Sequence, residues 1–164
     1  MRPKSLTGKV GFTCGAFDLL HAGHALMFEE CKKHCDYLVV GVQSDPSVDR
    51  ATKNKPVMSY EERIIMVKSM KWVDEVVLYD TENDLYNLLS ELRPDVRILG
   101  EDWKSRQYTG YALPIKVTFI KRDHEYSSSN LRRRVAMAEA QKYNSSFYLT
   151  LLDEERRLKE QKDL

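Results

Sequence analysis

Two histidines three residues apart lie in the stretch CGAFDLLHAGH, residues 14–24, directly after an apolar run. His21 and His24 are poor core residues because a buried imidazole needs a polar partner. Gly15 lets the backbone turn and approach a ligand closely, and Gly23 keeps the surface between the two rings open. At the first turn of a helix, unpaired N–H groups and the helix dipole favour an anion. The stretch therefore predicts a phosphate-binding site.

A second polar segment, RDHEYSSSNLRRR at residues 122–134, follows the last predicted strand. The guanidinium of Arg122 can hold phosphate oxygens through two parallel hydrogen bonds. Ser127, Ser128 and Ser129 offer hydroxyl and N–H donors at a predicted helix start. A serine run before a helix is most often only an N-cap. Its occurrence together with the histidine pair is what favours phosphate binding here.

The elements that must position these side chains follow from alternating hydrophobic patterns. Short apolar runs predict strands at residues 9–13, 37–42, 73–79, 96–100 and 115–120, and helical spacing predicts helices at 22–35, 59–70, 84–92 and 127–140. The alternation predicts a three-layer α/β/α, Rossmann-like domain with a mostly parallel five-stranded sheet. Ligands of such sheets bind beyond the carboxyl ends of the strands, which is where both polar segments fall.

Composition limits the classes of function that fit. The chain has 164 residues, of which 42% are hydrophobic, and its 26 basic residues nearly balance 25 acidic ones. It lacks the basic excess of a nucleic-acid-binding protein. Its three cysteines cannot all pair, which argues against a disulfide scaffold, and no stretch approaches the length of a membrane span. We expect a cytoplasmic protein with one domain at residues 1–143 and a C-terminal helical tail at residues 144–164.

The sequence also resembles a known superfamily. GAFDLLHAGH resembles the GxFDxxHxGH signature of the nucleotidyltransferases, and the serine run with the following Asn-Leu-Arg resembles their second motif. Between them, DYLVVGVQSD, SYEERIIMV, KWVDEVV and RPDVRILGEDW are similar to segments of cytidylyltransferases of the glycerol-3-phosphate type. The resemblance covers residues 10–135. It implies that the phosphate of an acceptor attacks the α-phosphorus of a nucleoside triphosphate and releases pyrophosphate.

An acceptor that is already a phosphate needs no general base, so catalysis reduces to alignment and stabilisation of charge. The resemblance implies that the histidines donate to the triphosphate, while the arginine and the serines hold the leaving pyrophosphate. The residues expected to be catalytic are His21, His24, Lys55, Arg122 and Ser128. Mg²⁺ is expected to arrive with the triphosphate rather than in a metal site of the protein.

The resemblance also implies two sets of binding residues. Residues expected to bind the nucleotide are Gly15, Ala16, Phe17, His21, His24, Gly100, Glu101, Asp102, Arg122, Tyr126, Ser127, Ser128 and Ser129. Residues expected to bind the acceptor are Asp18, Lys53, Lys55, Arg63, Lys71 and Trp103. Structural alternatives accompany several of them: Asp18 as a cap or loop brace, the two loop lysines as solvated charges, Arg63 in an ion pair along its helix, and Trp103 as a lid that anchors the next loop.

These features favour transfer of CMP from CTP to a small phosphorylated alcohol such as glycerol 3-phosphate. The alternatives are an adenylyltransferase acting on a sugar phosphate and a catalytically silent nucleotide-binding protein. Cys14, Asp123 and Tyr126 depart from the residues that glycerol-3-phosphate enzymes commonly carry, and they border the nucleotide and the acceptor. The substrate therefore stays open, and the resemblance further implies a homodimer.

Overall fold

All five strands of the computed structural model run parallel in one sheet. They are β1 (Val10–Gly15), β2 (Tyr37–Gln43), β3 (Glu75–Tyr79), β4 (Val96–Gly100) and β5 (Lys116–Ile120), in the spatial order β3-β2-β1-β4-β5. The chain winds outward from β1 to β3 and then crosses to the other side of β1. This reversal of direction creates the crevice at the carboxyl edge in which open α/β sheets bind ligands.

Helices cover both faces of this sheet. They are α1 (Ala22–Lys32), α2 (Tyr60–Lys68) and α3 (Glu82–Leu92), and a 3₁₀ turn (Glu101–Trp103) follows β4. Phe28 of α1 and Val67 of α2 pack on one face, whereas Leu85 and Leu89 of α3 pack on the other. The predicted Rossmann-like, three-layer architecture is confirmed.

The sequence explains these elements and corrects some of their limits. The run YLVVGV of β2 is apolar throughout because helices cover both of its faces. The predicted capping box forms at the start of α2, where the Ser59 hydroxyl accepts from the Glu62 N–H at 3.2 Å. A second capping box, Thr81 with Asp84, starts α3 two residues before the predicted beginning. β3 begins at Glu75 rather than at residue 73, and α1 ends at Lys32 rather than at residue 35.

The structure describes residues 8–142, together with 149, 150 and 153. The chain divides into two compact units, Met1–Glu125 and Tyr126–Leu164. Within the second unit, α4 (Ser128–Lys142) begins after Ser127, whose hydroxyl accepts from the N–H of Asn130 at 3.1 Å. The predicted helical tail at residues 144–164 lies outside the described residues except at those three positions. In the described part, no helix is long and apolar enough to span a bilayer.

Candidate active site

The turn between β1 and α1 has an unusual backbone. Phe17 and Leu19 adopt φ angles of 51° and 49°, in the left-handed region that residues other than glycine rarely enter. The ring of Phe17 is buried, 5.4 Å from the ring of His24 and 5.2 Å from that of Phe28. Only the backbone of Phe17 is therefore placed to face a nucleotide. Strained turns of this kind persist where surrounding contacts hold them, and they cluster at functional sites.

The two histidines cap α1 as a pair. His21 is the N-cap residue, and its Nδ1 accepts from the Gly23 N–H at 3.0 Å. The N–H of His21 donates to Nδ1 of His24 at 3.4 Å, and the two rings stack with their centroids 4.0 Å apart. Because both Nδ1 atoms accept, the proton of each neutral ring is on Nε2. Two Nε2–H donors therefore stand side by side at the positive end of a helix.

The surroundings of both rings favour this neutral form. Burial, together with the positive charges of His21 and Arg122, lowers the pKa of His24 to about 3, although Asp18 opposes the shift. Burial, followed by Arg122 and His124, also lowers the pKa of His21. At neutral pH both imidazoles therefore act as uncharged hydrogen-bond donors.

His124 is a third imidazole at this site, and the sequence analysis did not single it out. A Cβ atom on Gly23 would lie 2.8 Å from Cε1 of His124 and 2.9 Å from Cε1 of His21. A side chain at position 23 would therefore crowd two imidazoles, the ring of the N-cap residue His21 and that of His124. The signal was present in the sequence as the RDH triplet that includes Arg122, but only the fold brings that triplet to α1.

Asp18 connects the histidine turn to the long loop after β2. Its buried carboxylate accepts from the N–H groups of Val57 and Met58 at 3.0 and 2.9 Å. These bonds confirm the loop-bracing alternative for Asp18. They also fix the chain two residues after Lys55, an exposed residue of the same loop.

Arg63 of α2 is the largest fully buried side chain of the described residues, with 1% of its surface exposed. Its Nη1 donates to the carbonyl oxygens of Ala16 and Gln43 at 2.7 and 2.6 Å, and its Nη2 donates to that of Ser44. The guanidinium thus joins the end of β2 to the histidine turn. Because Arg63 is buried, it offers no surface for the acceptor that it was expected to bind. It also does not form the alternative ion pair along its helix, since its partners are backbone carbonyl groups.

A cavity of about 410 Å³ opens at the carboxyl edge, on the face of the sheet that α3 covers. Its volume falls in the range of small-molecule sites. Two residues predicted to bind the acceptor, Lys53 and Trp103, line it, and so do Gly15 and Ala16. Gly100, Glu101 and Asp102 form the end of β4 and the 3₁₀ turn at the same edge.

This cavity is also lined by Arg50 and Arg97, two arginines that the sequence did not single out. Arg50 pairs with Glu82 at 3.2 Å and donates to Gln43. Arg97 lies on β4, where the sequence shows one charged residue inside the apolar run VRILG. That pattern could have flagged it, because a charged side chain in a covered strand needs a polar environment.

The remaining predicted residues are placed elsewhere or belong to the second unit. Lys71 is exposed between α2 and β3, at the amino edge of the sheet, and its Nζ lies 4.6 Å from the Trp72 ring centroid. The structure does not bring it to the carboxyl edge. Tyr126, Ser127, Ser128 and Ser129 lie in the second unit, so their roles stay predictions. Of the described residues, no three His, Cys, Asp or Glu side chains form a cluster that could hold a metal ion.

Comparison with known proteins identifies the family. A family model described as cytidylyltransferase-like matches residues 12–134, which include the histidine turn and all five strands apart from the first two residues of β1. The chain belongs to the cytidylyltransferase-like family. It is therefore a nucleotidyltransferase domain.

Curated relatives of this cytidylyltransferase-like chain include proteins named bifunctional protein HldE. The chain is 36% identical to HldE of Campylobacter jejuni over 128 residues, which are 77% of this chain and 28% of the relative. It is 32% identical to HldE of Helicobacter pylori over 77% of this chain and 27% of that protein. The chain thus spans a little over a quarter of the length of these relatives.

Solved structures agree with the family assignment. The lipopolysaccharide core biosynthesis protein of Thermoplasma volcanium matches with a TM-score of 0.57 and 27% identity, over 74% of this chain and the whole of that one. Pantothenate synthetase of Thermus thermophilus matches with the same TM-score and 15% identity, over 92% of this chain and 76% of that chain. The second likeness shows the fold alone.

Proposed function

We propose that this protein transfers a nucleoside monophosphate from ATP or CTP to the phosphate of a small sugar phosphate. A phosphate oxygen of the acceptor forms the new bond to the α-phosphorus, the bond from that phosphorus to the bridging oxygen breaks, and pyrophosphate leaves. The observation that carries this proposal is the pair of neutral histidines at the start of α1, which present two Nε2–H donors in a nucleotidyltransferase domain.

The histidines act as donors rather than as bases. Their lowered pKa values keep them uncharged, and each can donate Nε2–H to an oxygen of the phosphate under attack. The N-terminus of α1 and the charge of Arg122 add positive potential at the same place. Charge that develops on the reacting phosphate is therefore stabilised by groups that need no rearrangement.

Lys55 and Lys53 are proposed to bring the two phosphates together. Both are exposed in the loop that Asp18 attaches to the histidine turn. Mg²⁺ is proposed to enter on the triphosphate, since it is commonly held by one or two carboxylates and substrate phosphates rather than by an all-protein cage. The role of Ser128 in holding pyrophosphate and the formation of a homodimer remain proposals from the resemblance.

The sugar phosphate is favoured by the Thermoplasma protein, whose whole length matches this chain and which is named for biosynthesis of the lipopolysaccharide core. A lipopolysaccharide core is built from sugars, so a phosphorylated sugar is a suitable substrate for an enzyme that helps to assemble it. CMP transfer to glycerol 3-phosphate is the second candidate. The similarity of several internal segments to glycerol-3-phosphate cytidylyltransferases favours it.

Pyrophosphate release tests both candidates directly. The full chain is incubated with Mg²⁺ and either ATP or CTP, and with glucose 1-phosphate, mannose 1-phosphate, glycerol 3-phosphate or phosphocholine. We expect release with a sugar phosphate and one of the two nucleotides. Release only with CTP and glycerol 3-phosphate would replace the first candidate with the second, and no release with any pair would support a silent nucleotide-binding protein.

A further inference from the structure

The proposed reaction gives a role to only some of the residues that line the cavity at the carboxyl edge. Gly15 and Ala16 line the end nearest the histidine turn. The cavity is also lined by Leu85 of α3, by Tyr108 and Thr109 of the loop before β5, and by Arg97 of β4. Val96 and Ile98, the neighbours of Arg97, belong to the core on the opposite face. Alternation along the strand therefore points Arg97 into the cavity side.

Arg97 is a buried cation with incomplete bonding. Only 3% of its surface is exposed. Its Nη1 donates to the carbonyl of Thr109, its guanidinium carbon lies 5.3 Å from the Tyr108 ring centroid, and its Nε has no hydrogen-bond partner. No carboxylate of the described residues lies within salt-bridge distance of it. A buried charge without a counter-ion is costly, so such a group indicates that a ligand supplies the missing acceptor.

The other charges of the cavity leave this deficit in place. Arg50, Lys53 and Arg97 line it against a single lining carboxylate, that of Glu82. Glu82 already pairs with Arg50 and accepts from the Thr109 hydroxyl. The cavity therefore keeps an excess of positive charge.

We propose that Arg97 binds a second anionic group of the acceptor, a carboxylate or a second phosphate, inside this cavity. This assignment rests on the proposed function, because it presupposes an acceptor whose attacking phosphate lies at the histidine turn. A guanidinium matches both groups, since each offers two oxygens to its planar fork of N–H donors.

The register of the sheet separates this group from the attacking phosphate. Arg97 pairs with Phe12 of β1, whereas the histidine turn begins after Gly15, three residues further along the strand. At about 3.3 Å per residue, the two backbone positions are roughly 10 Å apart along the strand. The histidines also sit on α1, which packs on the other face from Arg97. One phosphate group is too small to reach both places.

Matched pairs of probes test the proposal by binding alone. D-glycerate 3-phosphate differs from glycerol 3-phosphate by a carboxylate, and glucose 1,6-bisphosphate differs from glucose 1-phosphate by a second phosphate. Calorimetry with the full chain, without nucleotide, measures each dissociation constant for the unaltered protein, for Arg97→Met and for Arg97→Lys. Lys116→Met, which removes an exposed cation at the amino end of β5, is the matched control.

The unaltered protein and Lys116→Met should bind at least one probe with two anionic groups about tenfold or more tightly than its partner with one. In Arg97→Met this ratio should fall to about one while the affinity for the probe with a single phosphate stays the same, and the ratio for Arg97→Lys should lie between the two. If Arg97→Met does not fold, the loss of preference in Arg97→Lys carries the test. Equal affinities within both pairs in the unaltered protein would overturn the proposal. An equal loss for both members of a pair would also overturn it, because Arg97 would then hold the attacking phosphate.

The two proposals fail in different ways. If the preference for a second anionic group depends on Arg97 but no nucleotide and acceptor release pyrophosphate, the anion site stands and the nucleotidyl transfer is wrong. If pyrophosphate is released, and acceptors with one anionic group are used as well as their partners with two, the transfer stands and the role of Arg97 is wrong.

Discussion

The two histidines of this site cap a helix and also offer hydrogen-bond donors to a phosphate, and each ring uses a different nitrogen for each role. The Nδ1 atoms accept backbone N–H groups and so cap α1, while the Nε2 atoms carry the protons that a phosphate can use. Loss of the whole side chain would remove both functions. Substitutions that retain one nitrogen position can separate stability from catalysis.

His24→Asn keeps an acceptor near the position of Nδ1 and removes the Nε2–H donor. We expect kcat to fall about 10²- to 10³-fold, as for removal of one donor to a developing negative charge. The melting temperature should change little because the bond from the His21 N–H is retained. Steady-state pyrophosphate release and thermal unfolding measure the two effects. A loss of stability that parallels the loss of activity would make His24 a structural residue instead.

The lowered pKa of His24 also predicts how stability depends on pH. The unfolded chain takes up a proton near the ordinary value of 6.5, but the folded protein does so only near 3. Between these values the unfolded state binds more protons, so His24 makes the free energy of unfolding fall as the pH falls, by at most about 1.4 kcal/mol per unit. Urea unfolding from pH 7 to pH 4 measures this slope, and His24→Asn should make it shallower. An unchanged slope would show that His24 titrates normally.

The sequence revealed the residues of the histidine turn because their chemistry is local: a glycine turn, two imidazoles and a helix start lie within eleven positions. Arg97 and His124 depend on distant partners. The run VRILG does not tell which face of the sheet Arg97 occupies, and the cavity exists only once α3 and the loop with Tyr108 fold over that face.

Among the elements, α2 holds the site together through one side chain. Arg63 binds carbonyl groups at the end of β1 and the end of β2, so it fixes two loops that carry predicted site residues. The sequence predicted a helix here and a capping box, both of which form. It could not predict the role of Arg63, because the carbonyls it binds converge only when β1, β2 and α2 are in place.

Arg63→Met should therefore destabilise the fold by about 3–5 kcal/mol, since it leaves several buried carbonyl groups without donors. Lys68→Met, at the exposed end of the same helix, is the control and should change stability by less than about 0.5 kcal/mol. Urea unfolding measures both variants. A loss below about 1 kcal/mol for Arg63→Met would mean that water replaces the guanidinium.

The start of α3 and the order of the strands could not be predicted from the sequence either. Thr81 and Asp84 cap α3 with side chains that also occur in ordinary loops, so the helix was predicted to begin two residues late. The sheet itself was predictable because each strand is an apolar run between polar turns. Its order was not, since the pairing of β1 with β4 involves residues far apart in the sequence.

At the scale of the whole molecule, nucleotide binding should appear as a gain in stability. A ligand that binds only the folded state adds about 2.7 kcal/mol at 100 times its dissociation constant, which is roughly 5–11 °C in Tm for a domain of this size. We expect this shift with Mg²⁺ and either ATP or CTP, and not with Mg²⁺ alone. Thermal unfolding with each addition measures it. No shift with either nucleotide would contradict the proposed function.

The strand order also governs how the protein is made. β1 emerges first from the ribosome, yet its partner β4 follows only after β2 and β3, and Asp95, just before β4, both donates to Val10 and accepts from it. Until then one edge of the central strand exposes unpaired backbone groups that a second nascent chain can bind. Translation from Tyr79 to Gly100 takes about 1–4 s at usual rates. A ribosomal pause between these strands lengthens that exposure and favours aggregation over folding.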